Sequence, residues 1–252
     1  MTEALLLAAI GGVIIGLLLT VFGGGGSVMA TPWLVYVVGV ADTHVAIGTS
    51  AAAVAVNAAT GLVAQARAGA VKWPCASVFA LAGLAGALGG AHIGKMIDGG
   101  ALLNWFALAM IAIAVSMLIP RSGEGDSAVR LIPSMVWKLA PVGLATGFAA
   151  GFFGIGGGFL IAPGLMASTG MTLANAAASS LLSVTLFGGA TSASYAASGL
   201  IDWALFTALV AGGVAGAALG LPVSHWLTTR VKAARISFAA LVIAVALYIL
   251  LK

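Results

Sequence analysis

Two glycine clusters embedded in strongly apolar sequence constrain what this chain can fold into. They are Phe22-Gly23-Gly24-Gly25-Gly26-Ser27 and Phe153-Gly154-Ile155-Gly156-Gly157-Gly158, and each is followed at the same distance by a proline, Pro32 and Pro163. Glycine runs weaken helices, and backbone that leaves a helix inside a bilayer must find its hydrogen bonds within the protein. The clusters therefore mark places where membrane helices break. Two breaks in matching contexts point to a duplicated chain.

Composition agrees with that setting. The chain has 252 residues, 62% of them hydrophobic and 6% charged, with a mean hydropathy of +1.19, far from a soluble domain. The expected class is an all-α polytopic membrane protein. Its apolar runs fall near residues 4–22, 28–40, 44–66, 74–94, 102–119, 137–153, 159–170, 174–197, 203–225 and 234–251. Most approach the ~20 residues of a spanning helix, but the second and seventh have the length of re-entrant segments. Nothing basic precedes the first run and no small-residue cleavage site follows it, so it reads as mature structure and not as a secretion signal.

Shifting the chain by 131 residues places Phe22, Gly23, Gly25, Gly26 and Pro32 on Phe153, Gly154, Gly156, Gly157 and Pro163. A shift of 130 then places Gly69, Val71 and Trp73 on Gly199, Ile201 and Trp203, and Gly83, Gly86 and Gly90 on Gly213, Gly216 and Gly220. Each copy holds five apolar runs, and an odd repeat inserts in opposite orientations. The expected layout is a first repeat over 1–119, a cytoplasmic linker over 120–136 and an inverted second repeat over 137–252. Arg67, Lys72, Arg121, Arg130, Lys138, Arg230, Lys232 and Arg235 collect on one side, and only Lys95 and Lys252 on the other. The positive-inside rule makes the first side cytoplasmic and leaves both termini outside. The formal charge of +4 is dispersed in loops and gives no reason to expect nucleic acid.

The broken segments nominate a site. A helix beginning near Pro32 with Thr31 as its cap would run nine residues to Val40, about 13 Å, and start near the bilayer middle. Unwound glycine backbone there carries free N–H donors, and a helix N-terminus carries about half a positive charge, so an anion is the natural partner. Two such tips, entering from opposite faces, would meet in a central cavity as Gly-broken half helices near the midplane. The backbone candidates are Gly24, Gly25, Gly26, Ser27, Gly156, Gly157 and Gly158. Depth matching adds Thr49, Ser50, Asn57 and Thr60 from the third run, and Ser179, Ser180, Ser183 and Thr191 from the eighth, where Ser194 and Ser198 extend a hydroxyl stripe. Each hydroxyl has a packing alternative. The glycine series of Gly83, Gly86, Gly90 and of Gly143, Gly147, Gly151 reads as helix packing.

Other chemistry lacks its parts. Neither cluster has the G-x-x-x-x-G-K-[ST] spacing of a phosphate loop, and Phe159 stands where a dinucleotide loop has its third glycine. Ser27 is not in G-x-S-x-G, so no enzyme is expected. The lone Cys75 excludes an internal disulfide, and His44, His92 and His225 share no metal-ligand spacing, so neither cofactor nor metal is expected. Asp42, Asp98 and Asp202 lie in loops, which leaves a carboxylate proton relay unsupported. The partners expected are a small anion and the lipid bilayer, with a homo-oligomer left open.

At these residues the chain resembles the TauE/SafE family of sulfite exporters and related anion permeases. The resemblance rests on Phe22-Gly-Gly-Gly-Gly-Ser27 with Pro32, Ala46-Ile-Gly-Thr-Ser50, Gly69-x-Val71-x-Trp73, Gly154-Ile-Gly-Gly-Gly158 with Pro163, and Ser179-Ser180. Ser179-Ser180-Leu181 departs mildly from a Thr-Ser-Leu form. The resemblance implies a permease for sulfite, sulfonates or thiosulfate in a bacterial inner membrane. A carrier working by alternating access and a passive anion channel both fit the same broken helices. Helix ends supply about 0.3 to 2 kcal/mol each, too little to strip a dianion of water, so a monoanionic or partly hydrated ligand is expected.

Overall fold

The computed structural model describes residues 2–118, 125–154, 158–228 and 231–251, with some side chains beyond Ala112 omitted, and among these no strand forms. Ten α-helices follow in order: α1 Thr2–Phe22, α2 Ala30–Pro32, α3 Thr43–Arg67, α4 Trp73–Gly94, α5 Gly99–Leu118, α6 Pro133–Phe153, α7 Gly158–Thr169, α8 Leu173–Ala196, α9 Trp203–Thr228 and α10 Val231–Leu250. A 3₁₀ segment, Gly23–Met29, precedes α2, and a π-helical segment, Trp33–Val38, follows it. Among the described residues six helical stretches are long and apolar enough to cross a membrane: Thr2–Val38, Thr43–Arg67, Trp73–Gly94, Pro133–Phe153, Leu173–Ala196 and Trp203–Gly220.

The first of these stretches doubles back on itself. Trp33 Nε1 donates to the Leu7 carbonyl at 2.9 Å and the indole lies against Gly11. Twenty-six residues of straight helix would separate Trp33 from Leu7 by about 39 Å. The reversal sits at Gly23, where φ is +64°, a conformation that costs other residues and not glycine. Gly154 has φ +67° at the end of α6, and α7 then returns so that Gly164 lies against Val142.

The expectation for the first cluster needs correction. Gly23–Met29 is wound as a 3₁₀ helix, not unwound, and no separate helix starts at Pro32. Winding satisfies the glycine backbone internally where lipid offers nothing, and the looser π winding begins just after proline, which has no N–H to give. Thr31 is therefore no cap; its hydroxyl meets that of Ser50 at 2.7 Å.

Glycine seams join the helices in pairs. Along α1 and α9, Gly16 abuts the Gly213 carbonyl and Gly216 abuts Val13. Along α4 and α6, Gly147 abuts the Gly83 carbonyl and Gly90 abuts Phe148. Lipid tails are as apolar as leucine, so close van der Waals approach between backbones holds such pairs. Helices α3 and α8 cross antiparallel at the centre, with Gly48 beside Tyr195 and Gly61 beside Leu181. Consequently the start of α3 and the end of α8 share one face, and the end of α3 shares the other with the start of α8. α5 packs on α10 through Phe106, Met110, Val242 and Ala246. The loop carboxylates are helix caps: Asp42 accepts from His44 and Val45, Asp98 from Ala101, and Asp202 from Ala204 and Leu205.

Adjacent glycines give a sharp test of the seams. A Cβ on Gly90 would collide with the Phe148 carbonyl, whereas Gly89 faces open space. Thermal unfolding in detergent should show Gly90→Ala destabilised by about 1–3 kcal/mol and Gly89→Ala stabilised by about 0.5–1 kcal/mol. Equal effects would refute the seam.

Candidate functional site

The two glycine-rich reversals come together in the interior. Gly24 and Gly158 touch backbone to backbone, closer than any Cβ permits, and Val184 of α8 lies against Gly24. Gly23 rests on Ala177 at the start of α8, and Gly154 rests on Ile47 at the start of α3. Gly25 is buried within the 3₁₀ segment, and Gly26 packs on the backbone of Leu18 and Leu19. Ile155, Gly156 and Gly157 lie outside the described residues.

Hydrogen bonds sort the nominated side chains. The Gly24 N–H donates to Ser180 Oγ at 3.0 Å, and Ser180 donates in turn to the Ala177 carbonyl at 2.7 Å. Ser27 donates to the Gly24 carbonyl. Ser50 is engaged by Thr31 and the Ile47 carbonyl. Thr49 accepts from the Asp202 N–H and Ser179 from the Lys72 N–H, both at 2.9 Å. Thr60 is exposed and donates to the Asn57 carbonyl. Ser194 and Ser198 leave the stripe: Lys95 Nζ donates to the Ser194 carbonyl and to Ser198 Oγ, each at 3.0 Å.

Asn57 packs against α9. Its amide lies flat on Gly213 of α9, and Nδ2 reaches the Leu209 carbonyl at a long 3.4 Å. α3 turns Gly48, Ala51 and Ala55 toward α8, and residue 57 falls on the opposite side, on the azimuth of Ser50.

Two hydroxyls stand apart. Ser183 Oγ and Thr191 Oγ1 belong to fully buried residues and have no partner. A helical Ser or Thr normally folds its hydroxyl onto the preceding turn, as Thr20, Ser168, Thr169 and Thr185 do here. Thr191 shares a helix face with Ser180 and Val184, the residues that meet Gly24, because spacings of seven and eleven return to one azimuth. An unpartnered buried hydroxyl on the helix face that meets a glycine tip is a donor that an anion can use. Tyr195, whose spacing within the sequence gave no signal, is likewise buried with its hydroxyl unpartnered, and Lys95 Nζ lies 5.8 Å from its ring centre.

The other polar depression is a poor anion site. It is an open cleft of about 350 Å³ lined by Asp42, His44 and Asp98, so its charge repels an anion. Among the described residues no group of three or more His, Cys, Asp or Glu is arranged so that it could hold a metal ion.

Residues 8–249 match the family described as Sulfite exporter TauE/SafE. The chain belongs to the TauE/SafE family. It is similar to a probable membrane transporter protein of Xylella fastidiosa strain Temecula1, 43% identical over 99% of this chain and 97% of that one. It also resembles the probable membrane transporter protein YunE of Bacillus subtilis, 27% identical over 87% of this chain and 88% of the relative. A probable membrane transporter protein of Methanocaldococcus jannaschii is 31% identical over 60% of this chain. No solved structure matches. As a TauE/SafE member with helices of spanning length, the protein is a multi-pass membrane transporter.

Hydroxyls with and without partners should respond oppositely to removal. Ser180→Ala strands the Gly24 N–H and should cost about 1–3 kcal/mol, while Thr191→Val removes an unsatisfied group and should leave the melting temperature unchanged or higher. Thermal unfolding of both in detergent decides; a large loss in Thr191→Val would mean that its hydroxyl has a structural partner.

Proposed function

We propose that this TauE/SafE member is a secondary carrier for a sulfur-containing anion such as sulfite, a sulfonate or thiosulfate. It works by alternating access of two inverted halves, 1–119 and 137–252, about a central site where the glycine-rich tips meet. The observation that carries the reading is the unpartnered Thr191 hydroxyl on the α8 face that meets Gly24, two turns further along the helix than Val184. Donors of the site are Thr191 and Ser183, with backbone of Gly25, Gly26, Ser27, Gly156, Gly157 and Gly158; Gly24, Ser50, Ser180 and Asn57 shape its walls.

The inverted repeat is supported by contacts that recur with the halves exchanged. Gly16 meets Gly213 as Gly147 meets Gly83, and Gly23 rests on Ala177 as Gly154 rests on Ile47. In each comparison equivalent residues are offset by 130 or 131 positions. Asn57 sits on Gly213 where Phe187 sits on Gly83, which makes the two halves chemically unequal at matching places.

Hydroxyl and backbone donors, with no lysine or arginine side chain bonded to them among the described residues, select a monoanion or a partly hydrated ligand. The carrier lies in a bacterial inner membrane with both termini outside, following the lysine and arginine asymmetry.

In proteoliposomes, flux of sulfite or thiosulfate should saturate and show counterflow. Thr191→Val should lower it at least about tenfold, the value of a hydrogen bond to a charged group. Unaltered flux in a folded Thr191→Val protein would contradict the site, and continuous electrical current would contradict a carrier.

A further inference from the structure

Thr49 and Ser179 were nominated as ligand donors, yet both hydroxyls are taken up by backbone N–H groups of the opposite half. Thr49 of α3 accepts from Asp202 in the α8–α9 loop, and Ser179 of α8 accepts from Lys72 in the α3–α4 loop, each at 2.9 Å. Both side chains are fully buried. The two bonds lie on opposite faces, because α3 and α8 are antiparallel and each hydroxyl sits near the start of its helix while each loop follows the end of the other.

We propose that Thr49 and Ser179 are positioning residues of transport: each latches the loop of one half onto the central helix of the other, closing one face of the molecule. The proposal rests on the carrier reading for its purpose. With both latches made, the structure is closed on both faces, and passage in either direction requires one to open at a time. One turn deeper on the same helix faces lie Ala53 beneath Thr49 and Ser183 beneath Ser179, the latter carrying one of the unpartnered hydroxyls. A loop lifted from Ser179 would therefore uncover Ser183 first. Secondary ties flank each latch: Asn175 Nδ2 donates to the Ala70 carbonyl on the Lys72 face, and Lys95 Nζ holds Ser194 and Ser198 on the Asp202 face. Among the described residues the Asp202 face thus carries a charge-assisted tie that the Lys72 face lacks, so the Lys72 face is the easier to open.

The test uses sided thiol labelling in right-side-out and inverted membrane vesicles, with Cys75→Ala as background and a membrane-impermeant maleimide as probe. Thr49→Val should raise labelling of an Ala53→Cys reporter roughly three- to tenfold from the Asp202 face alone. Ser179→Ala should do the same for a Ser183→Cys reporter from the Lys72 face alone. Thr49→Ser and Ser179→Thr, which keep the acceptor, should retain protection; this excludes a mere loss of packing. Labelling that stays blocked in both variants, or rises equally from both faces, overturns the latches. Labelling needs no substrate, so a sided response in a protein that carries no sulfur anion would retract the transport reading and leave the latches standing.

Discussion

The contact between Gly24 and Gly158 depends on two chain reversals in a medium that supplies no hydrogen bonds. A helix that turns back inside the protein exposes backbone donors at its tip, and each stranded donor is costly. Here the first tip answers that cost twice. Gly23–Met29 winds into a 3₁₀ helix, and Ser180 captures the Gly24 N–H. Absence of a Cβ at Gly24 and Gly158 then lets the two reversals meet. A side chain at either position would hold them apart.

The seams that carry these tips follow from the same medium. Burial from water cannot drive helix pairing in lipid, so α1 with α9 and α4 with α6 join through backbone surfaces bared by glycine. In the proposed carrier these pairs move as rigid units, because prising them apart forfeits close contact along several turns. Motion then falls to the antiparallel α3–α8 crossing and to the loops fastened at Thr49 and Ser179.

Much of this was legible in the sequence. Gly23 and Gly154 marked both reversals, and the spacing of Gly83, Gly86 and Gly90 marked a packing seam, because glycine at these places answers to local backbone geometry and close approach. The winding of Gly23–Met29 was not legible, since glycine offers no side chain to favour one helix type over another. The packing of Asn57 on Gly213 was hidden for a different reason: residue count gives its position along α3, but its azimuth depends on which face of α3 meets α8. Thr49 and Ser179 read as ligands because polarity alone cannot reveal that an N–H from a distant loop arrives first. Tyr195 carried no signal at all.

The central claim, an anion held where the glycine tips meet α8, is tested most directly by an experimental structure of the protein with 2-bromoethanesulfonate, its bromine located by anomalous scattering. The sulfonate should lie on the α8 face that meets Gly24, within hydrogen-bond distance of the Thr191 hydroxyl. Occupied density only at the surface cleft of Asp42 and Asp98, or outside the helical bundle, would contradict the account.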